Sequence, residues 1–258
     1  MTSGRRARAQ RQAGARGDTR HRSATLQALH ARRRRQTWWA IGVGIVVVAT
    51  GSGLALSLGG GSGALPVASV ATLGHLLSPG SLGPPGPEGV PVPQAPVLAP
   101  AGSPARGQSV DGIACQSSEQ VVFHVHTHLS VFVDGKARQI PYGIGIAPPR
   151  QVQSTPEGPF VTSGGCFSWL HTHAADGIIH VESPSQRSYT LGEFFDVWGQ
   201  ALGPDQVGPA TGKVTAFYDG KVYLGNPRDI PIGDHVQVQL DVGRPVVAPE
   251  SIRFPSGL

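Results

Sequence analysis

Sulfur is scarce in this chain: of 258 residues one is methionine, Met1, and two are cysteine. A thioether site for copper(I) is thereby excluded, and a thiolate site could draw only on Cys115 and Cys166. Several catalytic signatures are missing as well. No G-x-S-x-G nucleophile elbow occurs, no Walker A loop and no G-x-G-x-x-G fingerprint. The glycines of "YGIGIAPP" (142–149) lack the Lys-Ser/Thr that a phosphate cradle needs, and "TSGGCF" (162–167) is read as a turn. A net basic charge is absent from most of the chain. Residues 1–37 hold eleven arginines against the single acid Asp18, while the remainder has ten Lys/Arg against fifteen Asp/Glu. The high pI thus belongs to a tail, and the larger part is mildly acidic, so no nucleic-acid partner is expected of it.

That basic tail ends at Arg32–Arg35 and is followed by "WWAIGVGIVVVATGSGLALSL", Trp38 to Leu58, without a charge. As a helix it would span roughly 30 Å, one hydrocarbon core. Trp38 and Trp39 stand where an aromatic belt belongs, and the arginines put the N-terminus in the cytoplasm. A cleaved signal peptide is the alternative, but a 37-residue basic lead is long for one. The reading is a cytoplasmic tail (1–37), a single-pass membrane helix (38–58), and an extracytoplasmic remainder in the cell envelope. Residues 59–108 are dense in glycine and proline and are expected to form a disordered linker. The folded domain is expected over 109–258.

Both cysteines fall in that domain, and an even pair in an exported setting predicts a Cys115–Cys166 disulfide. A pair of thiolate ligands, or a nucleophilic Cys166 near His171, are the weaker alternatives. The pattern predicts an α+β domain, rich in antiparallel hairpins with one main helix. Residues 121–133 alternate, and Asp134-Gly135, Asp176-Gly177 and Asp219-Gly220 are hairpin turn signals. "TLGEFFDVWGQAL" reads as a helix capped by Thr190 with Glu193 completing a capping box. Leu191, Phe194, Phe195, Trp198 and Leu202 form its apolar stripe. The order hairpin, helix, hairpin, strand over 166–242 resembles a β-grasp module.

Six of the ten histidines lie in "VVFHVHTHLSVFVDG" and "CFSWLHTHAADGIIHVESP". On a strand, His124, His126 and His128 form a row on one face, about 6.5–7 Å apart. In the second stretch a two-residue turn sets His173 opposite His180 and His171 opposite Glu182. A four-residue turn sets His171 opposite His180 instead. Either register leaves His171, His173, His180 and Glu182 on one face. Three imidazoles and a carboxylate, joined by the His124/His126/His128 row, are the expected ligand set for zinc or copper, with iron also accommodated and His128 equally able to support the row from a neighbouring position. Asp176 and Glu119 are candidates to orient the rings, though Asp176 is equally explained as a turn residue. His235 reads as structural; His21, His30 and His75 carry no signal.

"FHVHTHLSVFVDGK", "LHTHAADGIIHVESP" and "YTLGEFFDVWG" together resemble a family of uncharacterised exported or membrane-anchored microbial proteins with H-x-H-x-H-L and D-G-I-I-H-x-E segments. The resemblance implies the domain boundary and the extracytoplasmic placement, and it implies no activity. The expected function is a membrane-anchored transition-metal-binding protein serving metal acquisition, buffering or sensing. A metalloenzyme of unknown reaction, and a metal-free interaction or pH-responsive module, are the alternatives.

Overall fold

The computed structural model of the protein describes residues 64–104 and 107–258. The expected basic tail and membrane helix lie outside the described residues, and no helix among the described residues is long and apolar enough to cross a membrane. The fold is β-rich with one α-helix among the described residues, as the α+β reading expects.

Its centre is an eight-stranded sheet built from β1 (Val67–Ala68), β2 (Phe123–Val133), β3 (Lys136–Arg138), β4 (Leu170–His171), β5 (Ile178–Ser183), β6 (Val214–Tyr218), β7 (Lys221–Tyr223) and β8 (Gln237–Val242). The order is β1-β7-β6-β8-β2-β5-β4, with β3 also pairing β2. Every pair is antiparallel except β8 with β2. The Asp134-Gly135 and Asp219-Gly220 turns close hairpins as expected, all four residues having positive φ. Alternation along β2 divides the two faces. Leu129 and Val131 pack with Ile179, Val181, Val238 and Leu240 in the main core, while the histidines point the other way.

Helix α1 (Leu191–Trp198) caps that apolar face. Thr190 Oγ1 accepts from the Glu193 N–H, and the Glu193 carboxylate accepts from the Thr190 N–H, completing the capping box. An isolated eight-residue helix is marginal in water. Burial of Leu191, Phe194, Phe195 and Trp198 holds this one, each contributing roughly 1.5–3 kcal/mol. The helix is shorter than its apolar stripe suggests, because Gly199 adopts the left-handed conformation and ends it. Leu202 is buried from a short strand, Leu202–Gly203, rather than from the helix.

Cys115 and Cys166 are bonded, closing a separation of 51 residues. The chain-entropy model assigns about 4 kcal/mol to such a loop. The bond ties the Ile113–Gln116 strand to the Phe167–Ser168 strand, immediately ahead of β4.

The proline-rich segment departs from expectation. Residues 64–104 are laid along the domain and belong to the same compact unit as the rest of the described chain. Proline removes backbone donors and so forbids long strands, but it does not prevent apolar burial. Val90 is buried against Ile178 and Ile252, and Leu98 and Ala99 join the main core. Between Gly83 and Val92 the strap turns back on itself, with Gly86 N donating to Val90 O and Val92 N to Pro84 O. Glu88 sits at the tip of that turn.

Candidate metal centre

The histidine rows meet on the face of the sheet opposite α1. Register sets His180 across from His126 on one side and His171 on the other, and Glu182 across from His124. The second of the two expected registers is therefore the one adopted. His173 follows β4 and turns into the same cluster. Two overlapping groups can each hold a metal ion: His171, His173, His180 and Glu182, all buried, and His124, His126 and His180. Within each group one ligand atom per residue lies within 4.8 Å of the others. His180 belongs to both, so the two stretches build one continuous cluster.

The deep group is positioned from outside the sheet. The loop at Pro141–Ala147 zips against the chain around β4. Gly143 N donates to Thr172 O, Thr172 N to Ile144 O, and Ser168 N to Gly145 O. Gly145 has φ +70°, and a Cβ there would stand 2.3 Å from the Leu170 carbonyl and 3.0 Å from His171 Cβ. Only glycine lets the loop approach the ligand strand this closely.

Tautomers follow from the acceptors around each ring. His171 Nδ1 lies 2.9 Å from the Ser168 carbonyl, and His173 Nδ1 lies 2.6 Å from the Val161 carbonyl. A carbonyl only accepts, so both rings carry hydrogen on Nδ1. Burial pushes His171 well below the ordinary histidine range and also lowers His173, the charge of His180 adding to each. Both rings are therefore neutral, with bare lone pairs on Nε2. Those two Nε2 atoms face each other at 3.0 Å. Lone pair against lone pair is repulsive unless a cation lies between them. Nitrogens sharing one ion at about 2.0–2.1 Å stand roughly 2.9–3.4 Å apart, and this pair fits. Phe160 stacks on His173 and Phe167 meets His171 edge-on, walling the pair with hydrocarbon.

His180 is held differently. Its Nε2 is 2.7 Å from Glu88 Oε1, and its Nδ1 is 3.5 Å from Glu182 Oε1. Burial alone would lower this ring. The ion pairs with Glu182 and Glu88 outweigh burial and raise it to about 9. In turn His180 holds Glu182 below its usual range against the upward push of burial. Nδ1 of His180 and Oε2 of Glu182 are buried without a hydrogen-bond partner among the described residues. Buried polar atoms are normally paired, so two unpaired donor-capable atoms inside one cluster also fit an ion. Thiols are spent in the disulfide and methionine is absent from the described residues, leaving nitrogen and oxygen as donors.

The remaining expected residues fall as follows. His124 and His126 approach each other with Nε2 atoms 3.1 Å apart, and the His124 Nε2 is 3.0 Å from Glu182 Oε1. Burial, followed by the charge of His180, lowers His126 to about 3. His128 departs from its row: its Nε2 donates to the Asp176 carbonyl at 3.0 Å, and it belongs to neither ligand group. Across the sheet, His128 faces Ile178 rather than a candidate ligand. Asp176 serves the turn, its Oδ1 accepting from Ile178 N. Glu119 comes within 3.4 Å of His173 Nε2. His235 is structural, contacting the Leu258 carbonyl and stacking on Phe254.

Sequence reasoning missed Glu88. One signal was there: it is the sole acid among residues 59–108. The Ser168 and Val161 carbonyls left no signal, since backbone acceptors carry no residue identity. No protein-family model matches the chain, and no curated protein or solved structure matches it.

Proposed function

We propose that the protein is a membrane-tethered, extracytoplasmic metal-binding protein holding a divalent late first-row transition ion, zinc or copper(II) foremost. The ligands are His171, His173, His180 and Glu182. The observation that supports this most is the His171–His173 pair: both Nδ1 atoms are committed to carbonyls, and the two bare Nε2 atoms meet at 3.0 Å. A metal-free polar network would leave that contact repulsive. Imidazole and carboxylate donors suit zinc, copper(II), nickel and iron(II), and exclude a soft copper(I) site. Four ligands close a tetrahedral shell, the style of a holding site rather than of a catalytic one. Acquisition, buffering or sensing of metal outside the cytoplasm is the role this supports.

The test is elemental analysis of the full chain, matured in an oxidising compartment without a histidine tag, beside a His171→Ala/His173→Ala variant. Near-stoichiometric metal in the first and its loss in the second is the expected outcome. Metal in neither protein, with no rise in melting temperature on adding zinc or copper, refutes the proposal.

A further inference from the structure

Glu182 does not sit at the edge of the ligand cluster but between two histidine pairs. On one side, His171 and His173 face each other with Nε2 atoms 3.0 Å apart. On the other, His124 and His126 do the same at 3.1 Å. The carboxylate offers one oxygen to each pair: Oε1 is 3.0 Å from His124 Nε2, and Oε2 is 3.9 Å from His171 Nε2. Its side chain is only 4% exposed, and Oε2 has no hydrogen-bond partner among the described residues. Each pair repeats the separation of two nitrogens on one ion. Two-metal sites hold their ions about 3.5–4 Å apart, a span one carboxylate bridges.

We infer that the site is dinuclear, with two divalent late first-row ions side by side and Glu182 bridging them. This rests on the reading above and extends it. The deep ion takes His171, His173, Glu182 Oε2 and Nδ1 of His180, which gives up its proton to solvent as the ion binds. The outer ion takes His124, His126 and Glu182 Oε1. His124 is 38% exposed while the deep ligands are buried, so the outer ion keeps positions open to solvent and is the one that exchanges. Filling is therefore stepwise, deep before outer, and the outer ion has the weaker affinity. An exchangeable outer ion beside a retained deep one is an arrangement suited to taking up or surrendering metal.

Copper(II) is the probe, because neighbouring copper(II) spins couple and isolated ones do not. The full chain is titrated with copper(II), freed of unbound metal by gel filtration, analysed for copper and examined by electron paramagnetic resonance. Expected are two equivalents, the first giving an isolated signal and the second reducing the integrated signal per copper and adding a half-field transition. The His124→Ala/His126→Ala variant should drop from two equivalents to one and keep the isolated signal. Saturation of the wild type at one equivalent overturns the dinuclear inference while leaving the single-site reading intact. Two equivalents with additive, uncoupled signals also overturn it, as does a variant still binding a coupled pair. Retention of no copper at all overturns both readings.

Discussion

Glu88 offers the sharpest test, because it lies outside every strand of the sheet and its role depends on the whole geometry being right. Its Oε1 accepts from His180 Nε2 at 2.7 Å, and its side chain is 6% exposed. A carboxylate on the far nitrogen of a ligand imidazole fixes the ring's tautomer and raises its basicity at the metal. Glu88→Gln preserves the volume and one acceptor oxygen while removing the charge. Losing such a partner typically weakens metal binding about 10–100-fold, or about 1.4–2.7 kcal/mol. Competition against a chromophoric chelator at pH 7 should show that loss with stoichiometry unchanged. Linkage adds a second readout: if the strap's docking strengthens metal binding, metal binding must strengthen the strap's docking by the same factor. Amide exchange over 83–92 should then slow when metal is bound, through the Gly86–Val90 and Val92–Pro84 hydrogen bonds. An affinity within twofold of wild type, together with identical exchange in the apo and metal-loaded protein, would refute the assignment.

Three further outcomes follow from residues around the site. His128→Ala should leave metal stoichiometry unchanged and lower the melting temperature, since its bond is to the Asp176 carbonyl rather than to an ion; metal loss in this variant would place it back among the ligands. Gly145→Ala should destabilise the fold by about 1–3 kcal/mol, the usual scale of a strained backbone site, and impair metal retention, because its Cβ would meet Leu170 and His171; an unchanged melting temperature would argue against the loop's close approach. Asp241 is raised to about 7, chiefly by burial. A raised folded-state carboxyl stabilises fully below its ordinary range near 4, and that contribution is lost as pH climbs through about 7. Chemical unfolding of the apo protein from pH 5 to 8 should therefore show a decline, on the order of 3 kcal/mol, that Asp241→Asn removes; equal slopes in the two proteins would refute the assignment.

Much of the site was legible because strands impose a period of two. His171, His173, His180 and Glu182 share a face with either a two-residue or a four-residue turn at Asp176-Gly177, so their convergence could be read from spacing. Which histidine stood opposite which could not, since turn length decides it, and the structure pairs His171 with His180. His128 continues the row in sequence, but its partner across the sheet is Ile178 and its Nε2 meets the Asp176 carbonyl, neither of which spacing along one strand can show. The helix was over-extended for a similar reason: Leu202 fits the stripe, while Gly199 ends the helix before reaching it.

The strap is where composition misled most. Dense proline and glycine describe a segment unable to form ladders, and that remains true over 64–104, where strand is confined to Val67–Ala68 and isolated bridges. But inability to form a ladder is not inability to pack. Proline starts with a restricted backbone and so loses less entropy on docking than other residues would. Val90, Leu98 and Ala99 then supply buried apolar area at little cost in unpaired backbone donors. The segment expected to be a disordered linker instead carries Glu88 onto His180. A fragment begun at Ser109 would keep all six histidines of the two stretches and lose the carboxylate that orients the central one. It would also uncover Ile178 and Ile252, which pack on Val90. Such a fragment should bind metal more weakly than a chain that includes the strap, and supplying residues 64–104 as a separate peptide should restore part of the affinity. A fragment already equal to the full chain would show that the strap packs on the domain without contributing to the site.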